Sequence, residues 1–249
     1  MSLEVDYISD THLNLWKYNE SQIAPIFSGL SPTLILAGDI GDPDELTLYR
    51  TLEHVRKRYE HVIYIPGNHE FYVREPGSKK TPHSVLSWFQ KLDTQWDNFH
   101  LFYRRSEIYN GIRIIGATAW STSPRDTNWS RKISEEGRLD ALYLNEEIAK
   151  AKQPCLLVTH YPPTLSVLQD NFRNKITEYD YANNLEYMFR PPIHTWIFGH
   201  VHQCHNRGFP YSSSLLGSGS IQLLSNPYGY PHEGITSPVT KTTIISKKV

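Results

Sequence analysis

Apolar residues in this chain fall in short runs, and run after run is followed by a polar residue of the metal-ligand type. Val5, Tyr7 and Ile8 lead to Asp10 and His12, and Leu34, Ile35 and Leu36 lead to Asp39 and Asp42. The run HVIYIPG leads to Asn68, His69 and Glu70, CLLVT leads to His160, and HTWIFG leads to His200 and His202. Runs apolar on both faces suit strands that are covered on both sides. Their repetition predicts one sheet presenting these side chains from a common edge, since open α/β sheets bind outside the carboxyl ends of their strands.

Between the runs the period changes. Leu46, Tyr49, Leu52 and Val55 alternate with charges and predict a helix, with Pro43 in its first turn and Asp42 as its cap. The strand–helix–strand unit this makes predicts a parallel pair with a right-handed crossover. The polar stretch REPGSKKTPH predicts a surface loop, and SVLSWFQKLDTQW after it predicts a helix. Asn110-Gly111 joins two β-rich runs and signals a hairpin. Leu139, Leu142, Leu144 and Ile148 predict the apolar side of a further helix, with Ser134 as a weak cap. YANNLEYMF predicts another helix, stopped by Pro191-Pro192. The remainder is rich in glycine, serine and proline, with short β runs and a final strand in KTTIISKKV. The expected class is an α/β domain over residues 1–249 with helices on the sheet faces and extra antiparallel strands.

Composition narrows the function. A chain of 249 residues with 39% hydrophobic and 20% charged residues can bury a sizeable core. Its net charge of -1 supplies no global field to recruit nucleic acid or an anionic membrane. Two cysteines, Cys155 and Cys204, build no disulfide framework. Reduced thiols and an N-terminus without an apolar leader point to the cytoplasm. No apolar run approaches the roughly 20 residues a membrane span needs.

The candidate ligands are Asp10, His12, Asp39, Asn68, His160, His200 and His202. Carboxylate, carboxamide and imidazole without thiolate favour Mn, Fe or Zn over an all-oxygen Mg or Ca cage. The set exceeds one tetrahedral ion and suffices for two that share a carboxylate. Two ions about 3.5–4 Å apart generate a hydroxide nucleophile and clamp the oxygens of an in-line phosphoryl displacement. The departing alkoxide then needs a proton donor, and His69 fits that role. His205 is a further histidine that can line the site.

The segments SDTH, GDIGD, GNHE, TH and GHVH, in this order from Ser9 to His202, resemble the five blocks of the calcineurin-like metallophosphoesterases. The resemblance implies a four-layer α/β/β/α sandwich of two mixed sheets. It implies that Asp10, His12 and His202 hold one divalent or trivalent ion, that Asn68, His160 and His200 hold a second, and that Asp39 bridges them. His69 would contact the substrate phosphate and act as general acid, oriented by Asp42, with Glu70 supporting the motif. The segment SNPYGYP, from Ser225 to Pro231, is similar to a stretch that closes over the site region in bacterial members. Tyr161 stands where many members carry a second histidine, which changes the pocket wall. Asp42 stands where purple acid phosphatases need a tyrosine, which disfavours an iron–tyrosinate site.

The implied activity is hydrolysis of a phosphomonoester or phosphodiester by a metal-bridging hydroxide. Aromatics near the ligand loops, Tyr161 and Tyr228 among them, are candidates to stack a base or aromatic leaving group. Arg125 is a candidate to neutralise a second phosphate. A phosphoester is then the partner, with nucleic acid possible as substrate only, no membrane, and no protein partner inferable. Two other readings stand beside it: a metal-binding scaffold of the same fold without turnover, and a nuclease.

Overall fold

Alternation along the strands sorts their side chains into separate cores. In β2 (Thr33–Ala37), Leu34 and Leu36 face one cluster while Ile35 and Ala37 face another. In β7 (Cys155–Thr159), Leu156 and Val158 join that second cluster while Cys155 and Leu157 face a third. The middle cluster is therefore the seam between two sheets. The computed structural model describes residues 2–16, 20–73, 77–122, 127–170, 172–173, 176–213, 217–233 and 241–246.

The other strands are β1 (Ser2–Ile8), β3 (His61–Ile65), β4 (Phe99–Leu101), β5 (Arg105–Tyr109), β6 (Ile112–Ala117), β8 (Ile193–Phe198), β9 (His205–Ser213), β10 (Gly217–Ser225) and β11 (Lys241–Ser246). One sheet has the order β11-β1-β2-β3-β4 and the other β5-β6-β7-β8-β10-β9. Both are mixed: β1, β2, β3 and β4 run parallel with β11 antiparallel, and β6, β7, β8 and β10 run parallel with β5 and β9 antiparallel at the edges. The helices are α1 (Glu20–Ile23), α2 (Leu46–Val55), α3 (Pro82–Gln95) and α4 (Asn128–Lys150). Helices α2 and α3 cover the first sheet through Leu48, Leu52, Val85 and Phe89, and α4 covers the second through Leu144 and Ile148. The result is the expected four-layer α/β/β/α sandwich. Each fully buried aliphatic side chain in it contributes roughly 1.5–3 kcal/mol.

The expectation of a single ligand-bearing sheet is corrected. β1, β2 and β3 lie in one sheet and β7 and β8 in the other. A run buried on both faces looks the same in either sheet. The parallel β2–β3 pair and the Asn110-Gly111 hairpin are found, the latter with φ of 49° and 78° at its two turn residues.

Helix phases differ from the expected ones. In α2 the buried residues are Leu48, Thr51, Leu52 and Val55, while Leu46 and Tyr49 are exposed. A stride of three falls short of the helical turn of about 3.6 residues, so the expected stripe drifts off the face. The helix starts after Glu45, so Pro43 lies before it and Asp42 does not cap it. In α4, Leu142 is exposed and the inward face is Gly137, Asp140, Leu144 and Ile148. Thr127 caps this helix in a capping box with Ser130, in place of Ser134. Pro82 opens α3 at its first turn, behind a Thr81–Ser84 capping box.

Residues 181–189 are not one helix, and only Glu186–Met188 form a 3-10 turn. Backbone amides of Asn183 and Leu185 donate to Pro162 and Pro163 carbonyls, so the segment spends its donors on the loop after β7. Cys155 is buried and Cys204 exposed, and both are free thiols. Among the described residues no helix is long and apolar enough to cross a membrane.

Candidate metal and active centre

Parallel strands in register end level with one another. Tyr7 pairs with Ile35 and Ile8 with Leu36, while Leu36 pairs with Tyr64. The loops that follow are stitched together by backbone bonds: Asp10 N to Gly38 O, His12 N to Asp39 O, and Gly199 N to His160 O, each 2.9 Å. Asp10 joins the two sheets, its carboxylate oxygens each accepting from His200 N at 3.0 Å.

These loops turn sharply. Asp10, His12, Asp39 and His200 have φ of 52°, 43°, 57° and 69°. The left-handed region costs an ordinary L-residue roughly 1–2 kcal/mol, and Asp and His visit it more readily than most. Such strain gathers where a site over-determines the backbone. Gly38, at φ 86°, has no room for a side chain: a Cβ there would lie 2.4 Å from His160 Nδ1. The glycine before Asp39 is therefore what lets the two sheets bring their loops together.

The candidate ligands converge. Asp10, His12 and His202 place ligand atoms within 4.8 Å of one another, as do Asp39, His160 and His200, and as do His12, Asp39 and His69. Asn68 Oδ1 lies 2.9 Å from His160 Nε2, and the Asn68 amide donates to Tyr72 OH at 2.8 Å. Asp10 and Asp39 are 0% and 2% exposed. His200 and His202 sit on the loop after β8, beyond its last residue Phe198, not on a shared strand face.

The donor chemistry fits cations. His160 Nδ1 meets the Ala37 carbonyl at 2.9 Å, so the proton sits there and the Nε2 lone pair points inward. That lone pair faces two more acceptors, Asn68 Oδ1 and, at 3.4 Å, Asp39 Oδ2. His202 Nδ1 is held by Glu233 at 2.7 Å, and its Nε2 faces His12 Nε2 at 3.2 Å and Asp10 Oδ1 at 3.6 Å. His12 Nδ1 is buried without a hydrogen-bond partner among the described residues. Converging lone pairs need a proton or a metal ion between them.

Proton affinities carry the same signature. Burial pushes His160 down, but Asp39 beside it lifts it to about 9. Burial likewise opposes His202, and the Asp10 and Glu233 carboxylates lift it to about 9. Burial takes His12 down to about 4 and, with His160 adjacent, His200 down to about 3. Burial would raise Asp39, yet His160, His69 and His12 hold it well below the usual carboxylate range. Without metal, two imidazolium groups stand beside the two buried carboxylates.

His69 forms one wall of a cavity of about 690 Å³ that also exposes Asp39, Asn68, His200 and His202. Its side chain is 19% exposed, with Nε2 3.9 Å from Asp39 Oδ2, and its backbone N donates to Asp39 Oδ1 at 2.8 Å. Asp42 accepts from Lys80 Nζ at 2.5 Å and from Asp44 N at 3.0 Å. Glu70 is fully buried and collects Ile40 N and Gly67 N at 2.8 Å, Asp39 N at 3.1 Å and Tyr64 OH at 2.7 Å. Burial and the Asp39 charge push its carboxyl up to about 7.

Among the candidate substrate contacts, Tyr161 lines the cavity, with its ring 4.1 Å from His200. Tyr228 sits in the hydrophobic core with its ring 5.1 Å from Trp16, and the tyrosine on the cavity is Tyr230. The turn at Gly229 sends neighbouring side chains to different places. Arg125 lies outside the described residues. His205 opens β9 and packs on Phe198, 5.6 Å between ring centroids. Tyr72 and Tyr230, two more of the aromatics that the sequence places near the ligand loops, also line the cavity. Sequence reasoning missed Lys80 and Glu233, and Glu233 shows no local pattern beyond its charge.

The chain is similar to known proteins. A family model for calcineurin-like phosphoesterases matches residues 3–204. An uncharacterised protein of Acanthamoeba polyphaga mimivirus is 23% identical over 277 residues, which covers 91% of this chain and 91% of the relative. The crystal structure of a phosphopantetheinyl hydrolase from Mycobacterium tuberculosis aligns with a TM-score of 0.68 at 16% identity, over 93% of this chain and 91% of the other.

Proposed function

The chain belongs to the calcineurin-like phosphoesterase family, and we propose that it is a metal-dependent hydrolase of phosphomonoesters or phosphodiesters. The observation that carries this reading is the meeting of buried Asp and His ligand groups beside His69 on one cavity. Asp10, His12 and His202 would hold one ion, Asn68, His160 and His200 a second, and Asp39 both, with Mn, Fe or Zn suiting the mixed donors. Bound ions of this kind polarise phosphoryl oxygens and make water nucleophilic near neutral pH.

The chain's own residues supply the rest. His69 reaches the cavity and gives its proton to the departing ester oxygen, which avoids expelling an alkoxide. Asp39 holds the His69 backbone amide, so the ligand loop and the acid move as one unit. Glu70 fixes the loops of Asp39 and Gly67 from below. Tyr161, Val167, Leu168 and Phe172 also line the cavity and suit the organic part of an ester with apolar or aromatic groups. The substrate class, the cytoplasm as the place of action and the single-domain organisation belong to the same reading.

The test is hydrolysis of a panel after metal analysis: alkyl and aryl phosphomonoesters, cyclic nucleotides, dinucleotides, a phosphopeptide, and a phosphopantetheinyl ester suggested by the fold neighbour. On alkyl esters, whose leaving group needs a proton, His69→Ala is expected to lower kcat by about 10²–10⁴-fold while metal content stays the same. Unchanged turnover in that variant overturns the acid role. Failure of the whole panel with Mn, Fe and Zn supplied returns the chain to the scaffold reading.

A further inference from the structure

The segment after β10 is fastened to the end of β1. Ser9 N donates to Asn226 O at 3.2 Å, Tyr228 N to Ser9 O at 2.9 Å, and Gly229 N to Asp10 O at 2.9 Å. The Asn226 side chain adds a bond to Tyr7 O at 3.1 Å. Gly229, at φ 82°, then turns the chain so that Tyr230 lies over the candidate ligands. Its ring stacks on His12 with centroids 4.4 Å apart and meets His202 edge-on at 4.5 Å. Glu233 locks this placement, its Oε2 accepting from Tyr230 N at 2.6 Å and from His202 Nδ1 at 2.7 Å. The hydroxyl reaches His69, with Tyr230 OH 3.2 Å from His69 Nε2.

The stacking accounts for the ring, but it does not require the hydroxyl. We propose that Tyr230 is a positioning residue for the phosphoester reaction, its hydroxyl aiming the His69 imidazole at the leaving oxygen. The proposal rests on His69 as proton donor. A phenol both accepts and donates, so it can serve His69 on either side of the transfer. While Nε2 carries its proton, the phenol oxygen and the leaving oxygen share that one N–H as a three-centre bond, the phenol holding the ring while the proton stays within reach of the ester. When the P–O bond breaks, that proton goes to the leaving oxygen and the phenol turns its own O–H to the bare nitrogen. The phenol loses no proton, and the ring never has to search for its orientation.

Tyr230→Phe keeps the ring and removes the hydroxyl. With an alkyl phosphoester, whose leaving group needs a proton, kcat is expected to fall about tenfold at unchanged KM and metal content, the worth of one hydrogen bond in the transition state. With a nitrophenyl ester, whose leaving group needs none, the loss is expected to vanish, and His69→Ala should show the same split. Equal losses on both esters, or none on either, overturn the proposal. A second readout does not depend on turnover: nitrogen-15 histidine spectra of the metal-free protein, with His69 assigned by its disappearance in His69→Ala. Tyr230→Phe is expected to shift the His69 Nε2 resonance, and an unmoved resonance refutes the contact. A wild-type protein inactive on every ester would sink the hydrolase reading, and the spectra would still decide whether Tyr230 holds His69.

Discussion

Glu70 shows at single-residue scale how the centre is supported. Its carboxylate accepts from the amides of Asp39, Ile40 and Gly67 and from the Tyr64 hydroxyl, and it is fully buried. Hydrogen bonds to a charged group contribute about 1.5–3 kcal/mol, and an amide nitrogen turned toward these donors would repel them. Above pH 7, where the carboxyl is ionised, Glu70→Gln is therefore predicted to lower unfolding free energy by about 3 kcal/mol, read as a shift of the urea midpoint. An unshifted midpoint would show that the loop amides find other partners. That an acid belongs in GNHE was legible in the chain. Its partners from the Asp39 loop were not, because they are backbone groups about 30 positions away, such as Ile40 N.

Between elements, one buried ion pair was invisible to periodicity. Residues 74–83 are polar and predicted a surface loop, yet the Lys80 side chain is 1% exposed and binds Asp42 from the loop after β2. The pair pins the entry of α3 against the ligand loops. Removing one partner of a buried pair leaves an uncompensated charge, at a cost of about 3–5 kcal/mol. Lys80→Met is predicted to destabilise by that amount, and adding Asp42→Asn to restore most of it. A double variant no more stable than the single would refute the pairing as the cause. Asp140 on α4 has the same character: fully buried, paired with Arg104 at 2.6 Å and raised to about 6 by burial. A search for apolar stripes assigns such a position to the solvent side, which is why the inward face of α4 was misread at Leu142.

Over the whole molecule the two sheets share one titrating centre. In the metal-free protein His160 and His202 are raised from 6.5 to about 9. Groups raised on folding stabilise fully below their unfolded value, and that contribution is lost as pH rises through the folded one. His12 and His200 are lowered to about 4 and 3, so their contribution is present above 6.5 and is lost as pH falls through those values. The melting temperature of chelator-treated protein is predicted to be highest near pH 6.5 and to fall toward pH 9. Metal displaces those protons, so the loaded protein should lose little over that upper range. A metal-free melting temperature that is flat from pH 6.5 to 9 would refute this account of the site.

By itself the amino-acid sequence determined the strand periods, the Asn110-Gly111 turn, the kinds of donor atom and their order along the chain. These are local properties, written within a few residues by alternation, backbone preference and side-chain chemistry. Only the tertiary structure decided that the donors come from two sheets, that His12 and His202 meet across 190 positions, and that Tyr230 rather than Tyr228 faces the cavity. Those outcomes depend on which buried surfaces pack together and on how a turn rotates the next side chain, and neither is encoded at the position it affects.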